Sequence, residues 1–191
     1  MITGLILAGG RGARMDNADK GLQPCAGMPM VQHVLQRLQP QVAHLAINAN
    51  RNLEAYQRFG VPVWQDVIAD FAGPLAGLQS GLTHCATPLL VSVPCDSPFL
   101  PLDLVARLHA AMSAADAELA LAVTASGPHP VFCLLKTTLL ADLTAYLQGG
   151  GRKVRAWQAT RKTVEVYFED EAAFCNINSH ADLHRFEAQA Q

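Results

Sequence analysis

The strongest constraint on the fold is a repeated alternation between short apolar runs and segments with a helical period. The apolar runs are rich in Val, Ile and Leu, and they end at Gly, Asn, Asp or Pro. In the segments between them, apolar residues recur every three or four positions, as in amphipathic helices. Strands that alternate with helices in this way form βαβ units. The sequence therefore predicts an α/β fold with three layers, in which helices cover both faces of a mostly parallel central sheet.

The individual elements can be placed from period, capping residues and turn residues. The predicted strands are 3–7, 44–49, 61–65, 89–93, 119–124, 131–135 and 163–168. The predicted helices are 29–38, 53–59, 73–85, 103–115, 137–147, 154–160 and a last one that Ser179 caps. No internal repeat or linker interrupts this order, so residues 1–191 are expected to form a single domain.

Composition excludes several classes of protein. Half of the 191 residues are hydrophobic (50%), 16% are charged and the net charge is -2, which excludes bulk disorder and disfavours a nucleic-acid-binding protein. No apolar run is long enough for a transmembrane helix, and the amino end lacks the basic residues of a signal peptide. The five cysteines contain no C-x-x-C pair, which predicts neither a disulfide framework nor a cysteine zinc site. They are expected to be small buried hydrophobic residues without a catalytic role. We therefore expect a cytoplasmic protein that does not contact membranes.

The small net charge conceals two basic clusters. One lies between Arg11 and Lys20, and the second, at 152–162, has five basic side chains and no acidic one. Such clusters suit an anionic small molecule, although a solvated helix face explains the second cluster equally well. His180 and His184 have the spacing of a metal pair on a helix, but no glutamate follows the first histidine, which disfavours a zinc site.

Polar residues follow several predicted strands at the point where each strand ends. They are the loop 8–20, Asn48, Asp66 and Asp96. In parallel α/β sheets, ligands bind at the carboxyl ends of the strands. The sequence therefore predicts a binding site at one edge of the sheet.

The glycine-rich loop after the first strand fits only one of three phosphate-binding patterns. A dinucleotide fingerprint needs a glycine where Met15 stands, and a P-loop needs Ser or Thr where Gly21 stands. The third pattern, L-A-G-G-x-x-x-R-M-x-x-x-x-K, is a nucleotidyltransferase signature. It is matched at Leu7, Ala8, Gly9, Gly10, Arg14, Met15 and Lys20.

Further motifs extend this match along nearly the whole chain. They are 19–22 (DKGL), 48–51 (NANR), 73–77 (GPLAG), 94–98 (PCDSP), 129–130 (HP) and 176–178 (NIN). With them the chain resembles the molybdenum cofactor guanylyltransferases, a group of nucleotidyltransferases with a Rossmann-like sheet. One departure is Asp16, which stands where the loops of that family usually have glycine.

The resemblance implies a reaction and a set of residues. GMP would pass from GTP to the molybdenum–molybdopterin cofactor, with release of pyrophosphate. The implied catalytic residues are Arg14 and Lys20, which would contact the triphosphate, and Asp96, which would hold Mg²⁺. The implied nucleotide-binding residues are Leu7, Ala8, Gly9, Lys20, Asn48, Asp66 and Asp96.

The resemblance also divides the chain into a GTP-binding N-terminal part and a molybdopterin-binding C-terminal part. The candidate pterin-binding residues are Arg152, Lys153, Asn176 and Asn178. A solvated helix face and a simple turn remain the alternatives for these two pairs. Transient contacts with cofactor-delivery proteins or target molybdoenzymes are a further expectation.

Three other functions stay open at this point. A cytidylyltransferase acting on the same pterin cofactor would share the loop and differ in the residues that read the base. A nucleotide-binding module without turnover would need only the loop. A sugar-1-phosphate nucleotidyltransferase is a weaker alternative, because its acceptor site usually needs a longer chain.

Overall fold

The computed structural model describes residues 1–9, 19–68 and 73–177, and within them the predicted alternation becomes one large sheet and a small hairpin. The strands are β1 (Ile2–Leu7), β2 (Pro24–Cys25), β3 (Met28–Pro29), β4 (His44–Asn48), β5 (Val63–Trp64), β6 (Leu89–Pro94), β7 (Leu119–Thr124), β8 (Gly127–Lys136) and β9 (Thr163–Tyr167). The helices are α1 (Met30–Leu38), α2 (Leu53–Gln57), α3 (Pro74–His84), α4 (Leu104–Ala114), α5 (Leu140–Gln148) and α6 (Val154–Gln158).

Seven of the strands form the central sheet in the order β5-β4-β1-β6-β8-β7-β9. Neighbouring strands are parallel except at β8, which is antiparallel to both β6 and β7. The prediction of a mostly parallel sheet is thus confirmed. The strand order reverses at β1, which has β4 on one side and β6 on the other, and such a reversal opens a crevice at the carboxyl ends of the strands.

Alternating side chains along the strands build two separate cores, one on each face of the sheet. Ile6 of β1 belongs to the core that α1 and α4 cover, whereas its neighbour Leu5 belongs to the core covered by α3 and α5. The same alternation separates Ile47 from Ala46 in β4. Helices therefore lie on both faces, and the three-layer prediction is confirmed.

Two local features differ from the sequence prediction. The hairpin of β2 and β3 was not predicted, and Ala26 (φ 48°) and Gly27 (φ 82°) close it with two left-handed residues in succession. Strand β8 begins at Gly127 rather than near residue 131 and so includes two prolines, with an irregular register against β7 beside them. The predicted helix after Ser179 lies outside the described residues.

None of the helices in the described ranges is long and apolar enough to cross a membrane.

Candidate active site

The site lies at the carboxyl edge of the sheet, where the chain segments after β1, β4 and β6 remain side by side. The Ala8 amide donates to the Asn48 carbonyl at 2.8 Å, and the Cys95 amide donates to the Leu7 carbonyl at 3.1 Å. These bonds extend the parallel pairing by one residue beyond the strand ends. Polar groups from three strands are thereby held together on a rigid support.

A network of amide and carboxylate groups occupies the β4 side of this edge. The Nδ2 group of Asn48 donates to Asp66 Oδ1 at 2.9 Å, and Nδ2 of Asn50 donates to Asp66 Oδ2 at 2.8 Å. The Asp66 amide in turn donates to Asn50 Oδ1 at 2.9 Å. Asp66 is therefore oriented through both carboxylate oxygens, and predicted residues from two strand ends meet as expected.

Helix α3 approaches this network more closely than a side chain would allow. A Cβ atom at Gly77 would overlap Asn48 Oδ1 and would lie 2.7 Å from Leu7 Cδ2. A Cβ at Gly9 would lie 3.2 Å from Asn48 Oδ1 and 3.2 Å from Asn50 Nδ2. Glycine at 77 thus lets the first turn of α3 pack directly against Asn48.

The β6 side of the edge carries a carboxylate and a cation in contact. Lys20 Nζ lies 3.3 Å from Asp96 Oδ2, and Asp96 is only 8% exposed. Burial raises the pKa of Asp96, and the Lys20 cation partly opposes that increase. The pair combines a carboxylate that favours a nearby cation with a cation that can contact phosphate oxygens.

The thiol next to Asp96 is held in its neutral form. Burial, together with the negative charges of Asp96 and Asp19, raises the pKa of Cys95 well above its usual value. A neutral buried thiol is a poor nucleophile. This environment agrees with the expectation that Cys95 has no catalytic role.

Sequence reasoning missed the residues that bind Asp19, the neighbour of Lys20 in the chain. Asp19 is buried and accepts hydrogen bonds from Tyr56 Oη at 2.5 Å and from Asn52 Nδ2 at 3.0 Å. Asn50, which binds Asp66, lies inside the NANR motif but does not itself end a predicted strand. Motif membership was the only available signal, because Asp19 and Tyr56 are far apart in sequence.

The C-terminal segment reaches the same edge through Asn176. Ser97 Oγ donates to Asn176 Oδ1 at 2.7 Å, and the Ile177 amide donates to the Asp96 carbonyl at 2.9 Å. The structure therefore places Asn176 beside the Lys20–Asp96 pair. Asn178 lies outside the described residues.

The basic run lies around the C-terminal end of α5 and beyond it. Arg152 Nη1 donates to the carbonyl oxygens of Leu147 at 2.9 Å and Gly151 at 2.6 Å. Further along, Arg161 pairs with Asp142 at 2.8 Å. These contacts give Arg152 a capping function in the fold, and its predicted contact with the pterin stays a prediction, as does that of Lys153.

A magnesium ion fits the donor chemistry at Asp96. Within the described ranges no group of three or more His, Cys, Asp or Glu side chains gathers as a metal site. Mg²⁺ is usually held by one or two carboxylates together with substrate phosphates and water, so a single buried carboxylate is sufficient. The raised pKa of Asp96 is consistent with a position where a cation would stabilise the charged form.

Comparison with known proteins places the chain in a family. The family model of the MobA-like NTP transferase domain matches residues 4–164. The chain belongs to this family. A relative from Cupriavidus taiwanensis, named molybdenum cofactor guanylyltransferase, is 57% identical over 193 residues, which cover 98% of this chain and 97% of the relative. A relative of the same name from Ralstonia nicotianae is 56% identical, covering 95% of this chain and 94% of its own.

Solved structures agree on the fold of this MobA-like chain. Molybdopterin-guanine dinucleotide biosynthesis protein A from Archaeoglobus fulgidus superposes with a TM-score of 0.80 and 21% identity, over 100% of this chain and 98% of its own. The Rossmann-like fold that the resemblance implied is confirmed, as is the family itself.

Most of the predicted site residues of this MobA-like transferase converge in the structure. Those at the carboxyl edge are Leu7, Ala8, Gly9, Lys20, Asn48, Asp66, Asp96 and Asn176. Arg14 lies outside the described residues, as Asn178 does. The chemical roles assigned to all of these residues stay predictions.

Proposed function

We propose that this chain transfers GMP from GTP to the molybdenum–molybdopterin cofactor and releases pyrophosphate. The observation that carries the proposal is the contact between Lys20 and Asp96, at the point where the strand order reverses in a chain 57% identical to a molybdenum cofactor guanylyltransferase. A nucleotidyl transfer needs a positioned triphosphate and charge neutralisation, and this pair offers both signs of charge at the crevice.

The reaction forms one bond and breaks one. A terminal phosphate oxygen of the pterin cofactor attacks the α-phosphorus of GTP in line, and the bond to the β-phosphate oxygen breaks, so that pyrophosphate leaves with its bonding electrons. Positioning and electrostatic stabilisation supply most of the catalysis of such a transfer. Lys20 contacts the triphosphate and stabilises charge on the leaving group, and Arg14 has the same role in the proposal.

Asp96 is the residue that would hold the magnesium ion. When bound, Mg²⁺ supplies neutralisation of phosphate charge. Asp96 keeps its carboxylate at the carboxyl end of β6, where burial raises its pKa and the Lys20 cation partly opposes that increase. Both partners are therefore aligned before the substrate arrives, with side chains that are only 22% and 12% exposed.

Asn48 and Asp66 bind the nucleoside part of GTP in this proposal. A carboxylate has about four lone-pair sites for hydrogen bonds. Asn48 and Asn50 each occupy one of these sites on Asp66, which fixes its plane and leaves acceptor capacity for ribose hydroxyls or base N–H groups. The backbone of Leu7, Ala8 and Gly9 lies next to this network and completes the nucleotide side.

The pterin binds on the C-terminal side, within the same single domain of residues 1–191. Asn176 offers a neutral hydrogen-bonding group next to Ser97, and Arg152 and Lys153 offer positive charge for the pterin phosphate. Asn178 completes this set in the proposal. The protein works in the cytoplasm and makes transient contacts with cofactor-delivery proteins or target molybdoenzymes.

The decisive experiment measures pyrophosphate release with each of the four nucleoside triphosphates, with molybdopterin cofactor and Mg²⁺ present. We expect release with GTP, and a loss of about a hundredfold or more in Asp96→Ala, because a group that stabilises transition-state charge is removed. Asp103→Ala is the matched control, since Asp103 is an exposed carboxylate that pairs with Arg107.

Other outcomes would replace the proposal. A clear preference for CTP would indicate a cytidylyltransferase. Absence of release with every nucleotide would indicate a binding module. Release that is unchanged in Asp96→Ala, or that does not respond to removal of Mg²⁺ by a chelator, would exclude the role given to Asp96.

A further inference from the structure

The carboxylate of Asp19 binds side chains in and next to α2 rather than capping the turn that follows it. Asp19 directly precedes the 3-10 turn Lys20–Leu22, where a short polar residue usually caps the turn with its side chain. Here no side-chain cap is formed, although the Asp19 carbonyl accepts from the Leu22 amide at 3.2 Å. The Asp19 carboxylate can therefore accept hydrogen bonds from another element.

That element is α2 together with its N-cap residue Asn52, which clamp the carboxylate from two positions. Tyr56 Oη donates to Oδ1 at 2.5 Å, and Asn52 Nδ2 donates to Oδ2 at 3.0 Å. Asn52 has a left-handed backbone (φ 52°), which is uncommon outside glycine. Burial raises the pKa of Tyr56 far above its usual value, so the phenol keeps its proton and stays a donor.

Close packing also holds the backbone on the other side of Lys20, at Gly21. A Cβ atom at Gly21 would lie 2.6 Å from Tyr56 Oη and 3.3 Å from Cys95 Sγ. The residues before and after Lys20 are thus fixed. Hydrogen bonds to Tyr56 and Asn52 hold Asp19, and Gly21 packs closely between α2 and the segment after β6. Lys20 itself contacts Asp96 at 3.3 Å.

Residues 48–56, which include Asn52 and Tyr56, also hold Asp66 on the β4 side of the site. Asn48 and Asn50 bind Asp66, while Asn52 and Tyr56 bind Asp19. Residues 48–56 therefore connect the carboxylate that faces the nucleoside with the segment that carries the phosphate-binding lysine.

We propose that Asp19, clamped by Tyr56 and Asn52, is a positioning residue that fixes Lys20 for contact with the triphosphate. The inference rests on the proposed function, since it assigns the substrate phosphates to Lys20. Asp19 touches no reacting atom in this proposal and acts only through Lys20.

A double-mutant cycle on nucleotide affinity tests the inference. Binding of GTP with Mg²⁺ is measured calorimetrically in the parent, Tyr56→Phe, Lys20→Ala and the double variant. We expect Tyr56→Phe to weaken binding about tenfold, the size of one hydrogen bond to a charged group. In the Lys20→Ala background the same change should have no further effect, because Tyr56 acts through Lys20.

Two more variants keep the test independent of folding. Asn52→Gly tolerates the left-handed backbone and removes the amide side chain that donates to Asp19. It should weaken binding in the same direction, and it replaces Tyr56→Phe if that variant folds poorly. Tyr167→Phe removes a phenol from a side chain that is about half exposed (52%) and should leave affinity unchanged.

The outcomes separate this inference from the proposed function. Unchanged affinity in both Tyr56→Phe and Asn52→Gly, or an equal loss with and without Lys20, would overturn the positioning role. If the parent binds CTP in place of GTP, the guanylyl proposal fails, and the same cycle measured with CTP still decides the role of Asp19. A parent that binds no nucleoside triphosphate overturns both.

Discussion

Two lysine–carboxylate pairs show how differently this chain uses basic residues. Lys20 and Asp96 lie 3.3 Å apart at the carboxyl edge, with side chains that are 22% and 12% exposed. Lys162 and Asp116 lie at nearly the same distance, 3.4 Å, but their side chains are 59% and 88% exposed. In sequence both lysines belong to basic clusters of similar appearance.

The difference between the two pairs lies in their surroundings. A pair exposed to solvent contributes little stability, because water and salt screen it. In a partly buried pair, removal of one partner leaves a poorly solvated charge, which is energetically costly. Binding of an ion of opposite charge, such as a metal ion or a phosphate, is therefore more favourable there than at an exposed residue. The convergence of strand ends, rather than the density of basic residues, therefore identifies the candidate site.

Among the variants that compare the two lysines, the largest effect is expected from Lys20→Met. Loss of this cation should lower turnover with GTP by about a hundredfold, because one group that stabilises developing charge is removed. Steady-state pyrophosphate release measures the effect, and circular dichroism checks the fold. Turnover within about threefold of the parent would mean that Lys20 does not act on the triphosphate.

A smaller effect is expected from Gly77→Ala. The added methyl group would overlap Asn48 Oδ1, displace the network around Asp66, and raise KM for GTP about tenfold by weakening ground-state binding. Gly81→Ala is the matched control on the same helix, since the atoms nearest to its methyl group would be those of the core side chains of Leu5 and Leu90. The control should lower the melting temperature and leave KM unchanged. Equal KM changes in both variants would contradict a specific role for the Asn48 network.

A third prediction concerns acid stability in the C-terminal half. Burial lowers the pKa of His129, an effect that Glu171 partly opposes, and the ring stacks on Phe174 at 4.8 Å. Since the folded-state pKa is below the unfolded value of about 6.5, this histidine favours folding above that pH. The contribution is lost as the pH falls through the folded-state pKa. Denaturant unfolding between about pH 7 and about pH 5 should therefore show a smaller decrease in stability for His129→Gln than for the parent. An equal decrease in the stability of both proteins over this pH range would contradict the contribution assigned to His129.

The smallest effect is expected at the exposed pair. Lys162→Met should leave turnover unchanged and alter the free energy of unfolding by less than about 1 kcal/mol, because both side chains are well solvated. Chemical denaturation and the pyrophosphate assay measure the two quantities. A loss of turnover comparable with that of Lys20→Met would remove the distinction between the two clusters.

Much of the fold could be predicted because the hydrophobic period and the turn residues can each be read from a few neighbouring positions in the sequence. The strand ends at Leu7, Asn48 and Asp96 followed from apolar runs that stop at polar residues, and parallel topology then placed them at one edge. The hairpin β2–β3 could not be predicted, since each strand has two residues and each includes a proline. Its closure depends on left-handed residues rather than on an apolar pattern.

Only the site residues that lie in sequence motifs or at strand ends could be predicted from the sequence. Asn48, Asp66 and Asp96 follow strand ends, whereas the contact of Asp19 with Tyr56 joins residues 37 positions apart that share no periodic pattern. Such contacts follow from how α2 packs against the segment after β1, which a single sequence does not encode in any local signal. The ion pairs of Arg161 and Lys162 likewise became visible only in three dimensions.

The proposed reaction transfers the α-phosphate of GTP, with its nucleoside, to a pterin phosphate. The most direct measurement follows GTP labelled with radioactive phosphorus at either the α or the γ position, with molybdopterin cofactor as acceptor and Mg²⁺ present. We expect the α label to appear in the pterin product and the γ label in pyrophosphate. Retention of the α label in free nucleotide, or transfer from labelled CTP in preference to GTP, would contradict it.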